Sequence, residues 1–181
     1  MKILSIDIGV KNSAFYIEEF DPDQLTFQNL YLQGKRVFWK LVNFTIPSDD
    51  IFMNIVYFLD ANRKSWDSCN GIIIEQQMKT NPTAQQLEHF ISAYFKIIYG
   101  SFKFVSNIPA TRKTQVLGAP PKMDKRARKK WAVSEAHKIF DTRNDLEALK
   151  ILYSGKSDDL ADSCVQLKAF QKLVFLERKV P

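Results

Sequence analysis

The sequence predicts an α/β fold in which a central β-sheet is flanked by helices. Short apolar runs with strand-like spacing dominate the first half of the chain, and apolar residues recur at helical spacing in the second half. Between residues 47 and 105 the two kinds of segment alternate, as expected when helices pack against a sheet. With 181 residues and 45% hydrophobic content, the chain is long enough for one well-buried domain, which we assign to residues 1–181.

The strands are predicted from apolar runs that end at turn residues. Gly9 marks a turn after the first run, and Asp21-Pro22-Asp23 marks another, so the chain is expected to begin as a β-meander. A short apolar run ending at Glu75 indicates a later, buried strand. The predicted strands are residues 2–9, 13–20, 25–32, 36–46, 71–75 and 102–105.

The helices are predicted from caps, breakers and apolar spacing. The segment Pro47-Ser48-Asp49-Asp50 supplies an N-cap before the first helix, and the second begins at Asn81-Pro82 and is stopped by Gly100. A basic segment leads into the third helix, and Gly155 separates the last two. The predicted helices are residues 51–62, 81–99, the basic segment through 140, 145–153 and 157–178.

Asp7 and Glu75 are acidic residues inside or at the end of apolar runs. Both runs are typical of strands buried on two faces, where an unpaired carboxylate would cost several kcal/mol. Because these two strands can lie side by side at the sheet centre, we expect the two carboxylates to be neighbours. A divalent cation held between carboxylates is the simplest reason for such charges, although Asp7 alone could also be a structural acid bonded to backbone amides.

Asp159 and Asp162 lie three residues apart near the start of the last predicted helix. That spacing places both on one helix face, while Asp158 is turned about 100° away from Asp159. Taken alone, such a pair is also typical of acids favoured by the helix dipole. Together with the two strand acids, however, the pair predicts a site at which four carboxylates converge.

The overall charge favours a polyanionic partner. The formal net charge is +6, and residues 122–130 carry six basic residues against one acid. Cys69 and Cys164 suggest neither a disulfide framework nor a zinc site. No apolar run of 18 residues exists, and the first strand begins at Lys2, so we expect an intracellular, cytoplasmic protein without a membrane partner.

Four segments, in this order, give the chain a family resemblance. They are residues 5–12 (SIDIGVKN), 73–77 (IIEQQ), 126–130 (RARKK) and 156–163 (KSDDLADS). Together they resemble the RuvC-like Holliday junction resolvases, above all the poxvirus enzymes and the related fungal mitochondrial enzymes. The resemblance implies an RNase H-like fold with a mixed five-stranded sheet flanked by helices, a homodimer, and metal-dependent cleavage of four-way DNA junctions.

The resemblance also implies a set of catalytic residues. Carried over position by position, the metal-binding and catalytic acids are Asp7, Glu75, Asp159 and Asp162. The implied catalytic lysine is Lys129 or its neighbour Lys130, with Lys113 as a further candidate. The implied cofactor is Mg²⁺, two ions per site, with Mn²⁺ able to substitute. Gln76 and Gln77 stand where basic residues often follow the glutamate in the poxvirus enzymes, which puts substrate preference in question.

DNA contacts and dimerisation complete the expectation. The basic residues expected to follow DNA phosphates are Lys11, Lys79, Arg112, Lys113, Lys125, Arg126, Arg128 and Lys130. The wide apolar face of residues 87–98 is either core alone or core plus dimer interface. We expect a virus-encoded protein that acts where viral DNA replicates.

Other classes of protein share parts of this pattern. Another RNase H-like nuclease, acting on flaps, branched DNA or RNA–DNA hybrids, would carry the same acids. An actin-like ATPase also begins with a strand and Asp-x-Gly, but the second phosphate loop of that class is absent. A non-catalytic DNA-binding module is the third alternative, and Mg²⁺-dependent nicking would exclude it.

Overall fold

Five strands form one mixed sheet in this computed structural model, which describes residues 1–78, 80–153 and 157–178. The strands are β1 (Lys2–Asp7), β2 (Ser13–Glu19), β3 (Lys35–Val42), β4 (Gly71–Gln76) and β5 (Phe104–Pro109). Their order across the sheet is β3-β2-β1-β4-β5. β1 to β3 are antiparallel, whereas β1, β4 and β5 run parallel, so the predicted mixed five-stranded sheet is confirmed.

Helices cover both faces of the sheet. They are α1 (Ile51–Ala61), α2 (Arg63–Asp67), α3 (Pro82–Tyr99), α4 (Arg112–Val116), α5 (Lys125–Thr142), α6 (Leu146–Tyr153) and α7 (Asp158–Gln171), and a π-helical segment, Lys172–Leu176, follows α7. Asp50, Asn81 and Asp124 each accept a hydrogen bond from the backbone N–H three residues later. These side chains satisfy amide groups that a helix leaves without partners, and so they set where three helices begin.

The predicted strand at residues 25–32 is wrong. In its place the chain makes turns in which the Asn29 side chain accepts from the Thr26 backbone N–H and donates to the Gln24 carbonyl. Leu25 and Leu30 are buried and anchor this turn segment to the core. The apolar residues therefore serve as anchors of an irregular segment, which period-2 spacing alone does not distinguish from a strand.

The two faces of the sheet bury separate apolar clusters. Side chains alternate between the two faces along β1. Leu4 and Ile6 therefore lie on the face covered by α1 and α3, and Ile3 lies on the face covered by α5 and α7. By the same alternation, Asp7 is on the same face of the sheet as Ile3, and Glu75 is on the same face as Ile73. Both acids therefore belong to the α7 side of the sheet.

No helix within the described parts of the chain combines the length and the apolar character that crossing a membrane requires. Cys69 and Cys164 are both buried, and each is a free thiol.

Candidate active site

Asp7 and Glu75 lie at the carboxyl ends of neighbouring parallel strands. β1 and β4 pair in register through Ile6 and Ile74, so the next residue of each strand is acidic. Asp7 is only 7% exposed and Glu75 only 9%. Two adjacent carboxylates with so little contact with water repel each other strongly unless a cation or a proton lies between them.

The start of α7 brings two more acids to this edge. Asp159 and Asp162 lie in its first two turns, and their side chains are 19% and 16% exposed. The charges that act on Asp162 include those of Glu75 and Asp159. The four acids that the sequence analysis selected therefore lie in one neighbourhood, although they come from three separate elements.

Lys113 lies within this acidic cluster. Its Nζ is 2.8 Å from Glu75 Oε1 and 2.8 Å from Asp162 Oδ1, and its side chain is 12% exposed. It is carried by α4, a helix of five residues that is too short to show apolar periodicity in the sequence. From the sequence, Lys113 is only a further candidate for the catalytic lysine, whereas the structure places its ammonium between two of the candidate metal ligands.

Lys129 forms a second charged group with the acids at the start of α7. Its Nζ donates to the Asp158 carboxylate and lies 3.6 Å from Asp159 Oδ1. Helical spacing alone predicts that Asp158 is turned away from Asp159. Both reach the same ammonium because α5 packs against α7 and Lys129 has a long, flexible side chain.

Burial and mutual repulsion shift the titration of the acids. Burial, followed by the Glu75 carboxylate, raises the pKa of Asp7 well above its usual range. Burial likewise raises the pKa of Asp159 and of Asp162. Burial also acts to raise the pKa of Glu75, but the Lys113 ammonium, together with hydrogen bonds from Asp7, Lys113 and Gln77, outweighs burial and lowers that pKa to about 2. A proton shared by the strand acids therefore belongs on Asp7.

The acids are divided between two lysines. Across residues 1–78, 80–153 and 157–178, no three acidic, histidine or cysteine side chains are arranged to ligate a single ion. Even so, the donor set fits a hard divalent cation, because carboxylate oxygens of Glu75 and Asp162 already enclose a positive charge and Asp7 lies beside them.

Basic residues line two cavities beside the acids. A cavity of about 220 Å³ is lined by Glu75, Met78, Ala110, Lys113, Thr114, Lys125, Arg128, Lys129, Trp131 and Asp162. A neighbouring cavity of about 610 Å³ is lined by Lys125, Arg126, Lys129, Lys130, Val133, Ser157 and Asp158. Lys125, Arg126, Arg128, Lys130 and Lys11 are exposed, and Arg112 is half-buried. Lys79 lies outside the described residues.

Gln166 connects α7 by hydrogen bonds to β1, the strand that carries Asp7. No motif in the sequence marks Gln166 as a site residue. Its Nε2 donates to Ser5 Oγ at 3.1 Å and to the Ile6 carbonyl at 3.3 Å, and all of these groups are buried. Gln166 lies one helical turn after Asp162, while Ser5 and Ile6 precede Asp7. These hydrogen bonds therefore fix the position of one candidate ligand relative to the other.

Replacing Gln166 with Leu is expected to weaken Mn²⁺ binding at the acids about 10–100-fold, as removal of groups that support metal ligands commonly does. The stability cost should be only about 1–3 kcal/mol, because Ser5 Oγ and the Ile6 carbonyl each lose a buried partner. Calorimetry with Mn²⁺ and chemical denaturation measure the two effects. Gln86→Leu, at an exposed position of α3, is the control and should change neither. Wild-type Mn²⁺ affinity in folded Gln166→Leu would contradict this role.

No protein-family model matches this sequence. Protein 97L of Invertebrate iridescent virus 3, described as uncharacterized, is 31% identical over 94% of this chain and 100% of its own length. Protein 170L of Invertebrate iridescent virus 6, also described as uncharacterized, is 32% identical over 70% of this chain and 60% of its own length.

Several solved structures share this fold, and the fowlpox virus and yeast mitochondrial proteins among them are described as Holliday junction resolvases. The fowlpox virus Holliday junction resolvase has a TM-score of 0.63 and 22% identity, covering 95% of this chain and 98% of that one. The yeast mitochondrial Holliday junction resolvase has a TM-score of 0.64 and 16% identity, covering 94% and 78% of the chains. Thermus thermophilus RuvC has a TM-score of 0.61 and 11% identity, covering 98% and 96%.

The fold of the chain is one that known proteins share. The chain has the fold of the RuvC-like, poxvirus-type Holliday junction resolvases, which confirms the resemblance seen in the sequence. By sequence, it belongs to the family of the iridescent virus protein 97L.

Proposed function

We propose that this protein is a metal-dependent endonuclease that resolves four-way DNA junctions by paired hydrolysis of phosphodiester bonds. The observation that carries the proposal is the meeting of Asp7, Glu75 and Asp162 at the carboxyl edge of the central strands. The fold supports the substrate class, because the fowlpox virus resolvase with this fold has been solved with Holliday junction DNA.

The acids are proposed to act as metal ligands. Asp7, Glu75, Asp159 and Asp162 would hold Mg²⁺, with Mn²⁺ as a substitute and two ions per site. When bound, such ions activate a water molecule for in-line attack and stabilise the leaving oxygen. The carboxylates bind and orient the ions, while Lys113 and Lys129 offset negative charge at the scissile phosphate.

The basic surface is proposed to hold the DNA backbone. Lys125 and Lys129 line both cavities beside the acids, and the exposed residues Arg126, Arg128 and Lys130 extend the positive surface along α5. Lys11 and Arg112 add charge outside α5. Contacts of this kind are made to phosphates, so binding should weaken as salt increases and should depend little on base sequence.

The direct test compares three substrates with and without Mg²⁺. We expect symmetric nicks in opposed strands of a synthetic mobile four-way junction, and much slower cleavage of a flap and of an RNA–DNA hybrid. Faster cleavage of the flap or the hybrid would support another RNase H-like nuclease in place of a resolvase. Junction binding without nicks in either condition would leave a DNA-binding module.

The outer face of α1 and α3 is proposed as a homodimer interface. Leu87 and Ile91 of α3 are buried in the core, but Ile97 is 82% exposed, and Tyr57 of α1 is 60% exposed. Phe52 of α1 packs on Phe90 of α3 and joins the two helices into one apolar face. A two-fold dimer would present two active sites to the two opposed strands of a junction.

Placing a charge on this face is expected to dissociate the dimer. Ile97→Asp should produce monomers, because a carboxylate buried against apolar side chains loses its hydration without gaining a partner. Light scattering coupled to size-exclusion chromatography measures the mass. Phe102→Asp is the matched control, since Phe102 is 93% exposed and lies outside α1 and α3. A dimeric Ile97→Asp variant would locate the interface elsewhere.

The relatives in two iridescent viruses support a viral role. We propose that the protein is virus-encoded and resolves branched intermediates where viral DNA replicates.

A further inference from the structure

Lys113 is the most enclosed cation of the candidate site. Its side chain is 12% exposed, whereas that of Lys129 is 40% exposed. Its ammonium makes equal 2.8 Å contacts with Glu75 and Asp162, which lie on a strand and a helix far apart in the sequence. A single positive charge therefore holds together two carboxylates from the proposed metal-binding set.

We propose that Lys113 is a resident counter-cation that occupies the metal position between Glu75 and Asp162, and that a divalent ion binds only by displacing it. This inference rests on the proposed metal centre. The Lys113 ammonium would then compete with the metal ion, because both would contact the same carboxylate oxygens of Glu75 and Asp162.

Competition follows from charge and distance. Mg²⁺ ligands lie at about 2.0–2.1 Å, so an ion bound to both Glu75 and Asp162 would take the position that the ammonium now holds. Two cations that close repel each other, and a buried environment screens this repulsion poorly. The ammonium must therefore leave the carboxylates when the ion binds.

The cavity around Lys113 gives the displaced ammonium a direction in which to move. This cavity of about 220 Å³ is lined by the enclosed acids together with Lys125 and Arg128, which are exposed. A DNA phosphate held by these exposed basic residues would lie within reach of the flexible Lys113 side chain. Metal binding would thereby release Lys113 from the acids and make it available to the phosphate, which links metal binding to substrate binding.

The first test measures Mn²⁺ affinity without DNA, by calorimetry, in the wild type and in Lys113→Met. Methionine keeps most of the length of the side chain but removes the charge. We expect Lys113→Met to bind Mn²⁺ roughly tenfold more tightly, because the ion no longer competes with an ammonium. Lys64→Met, which removes an exposed lysine of α2 outside the basic surface, is the control and should bind Mn²⁺ as the wild type does.

The second test uses the wild-type chain and so does not depend on the folding of a variant. Acylation of individual lysines, followed by mass spectrometry, measures how accessible each amine is. Mn²⁺ should increase the acylation rate of Lys113 several-fold and leave that of Lys130 unchanged. If Mn²⁺ leaves Lys113 as protected as before, the ion does not displace it and the inference is overturned.

The outcomes separate this inference from the proposed function. Mn²⁺ binding with equal or weaker affinity in Lys113→Met would overturn the counter-cation role, while the metal centre would stand. Failure of both proteins to bind Mn²⁺ would overturn the metal centre and the inference together. A lysine with a purely structural role would lower the stability of the variant on removal but would not raise its metal affinity.

Discussion

Replacing Asp7 with Asn is expected to lower the rate of junction cleavage by at least about 10²–10³-fold, the loss typical when one transition-state-stabilising group is removed. Asparagine keeps the shape of the side chain but supplies a neutral amide in place of the carboxylate that is proposed to bind metal. Binding of the junction should stay close to that of the wild type, because the phosphate contacts are proposed to come from the basic residues of α5.

The stability of the Asp7→Asn variant distinguishes a functional acid from a structural one. Burial and the Glu75 carboxylate raise the pKa of Asp7, so its charged form is unfavourable in the folded protein without a metal ion. The variant should therefore be at least as stable as the wild type in the absence of metal, and it should gain less stability than the wild type when Mn²⁺ is added.

The measurements are single-turnover cleavage, junction affinity by fluorescence anisotropy, and thermal unfolding with and without Mn²⁺. Asp23→Asn makes the same chemical change at an exposed position between β2 and β3, and it should leave all three unchanged. A near-normal cleavage rate in Asp7→Asn would remove Asp7 from the catalytic set. A large loss of stability without metal would instead indicate a structural acid.

Replacing Glu18 with Gln is expected to destabilise the fold by about 3–5 kcal/mol, the cost typical of removing one partner from a buried ion pair. Glu18 is completely buried, and it lies 2.6 Å from the Lys168 ammonium and 2.6 Å from the Arg143 guanidinium. It also accepts hydrogen bonds from Tyr16 and Gln171. The amide would leave two buried cations without a counter-charge.

Chemical denaturation measures this effect, and the adjacent residue supplies the control. Glu19→Gln removes a carboxylate that is half-exposed and 3.8 Å from Lys2, so its cost should stay within about 1 kcal/mol. Since Glu18 pairs with Ile3 at the opposite end of β1 from Asp7, the folded fraction of Glu18→Gln should still cleave. If the free energies of unfolding of the two variants differ by less than about 1 kcal/mol, the range of an exposed ion pair, the buried network contributes little to stability.

The effect of Glu18→Gln should disappear in acid. Burial acts to raise the pKa of Glu18, but Lys168 and Arg143 outweigh it and lower that pKa from 4.5 to about 2. A carboxylate whose pKa is lowered on folding contributes fully above pH 4.5 and loses that contribution as the pH falls toward 2. Burial lowers the pKa of Lys168 to about 8, so its ammonium stays charged throughout this range. The stability difference between variant and wild type should therefore narrow between these two pH values.

Local pattern was sufficient where a single element carries the information. Asp7 and Glu75 stand out because a charge inside or beside a buried apolar run is costly, and this is visible without knowing the neighbours of either strand. Asp159 and Asp162 were predicted to share a face because helical spacing fixes it. The strand predicted at residues 25–32 is wrong because it rests on local spacing alone, whereas Leu25 and Leu30 are buried in a segment of turns.

Partners distant in the chain could not be predicted in this way. Lys168 has the appearance of a surface residue near the end of a helix, yet it is completely buried against Glu18, 150 residues earlier. Gln166 shows no motif, and its role appears only when α7 lies against β1. The same holds for Lys113, which lies in one of several basic segments and whose salt bridge with Glu75 appears only in the folded chain.

The sequence by itself determined the fold class, the strand and helix that carry each candidate acid, and the resemblance to junction resolvases, because all of these depend on spacing within short segments. The tertiary structure alone decided which lysine lies among the acids. Lys113 forms salt bridges with Glu75 and Asp162, whereas Lys129 forms them with Asp158 and Asp159. The physical reason is that a salt bridge forms where packing brings two side chains together out of water, and the spacing of charges along the chain does not encode that position.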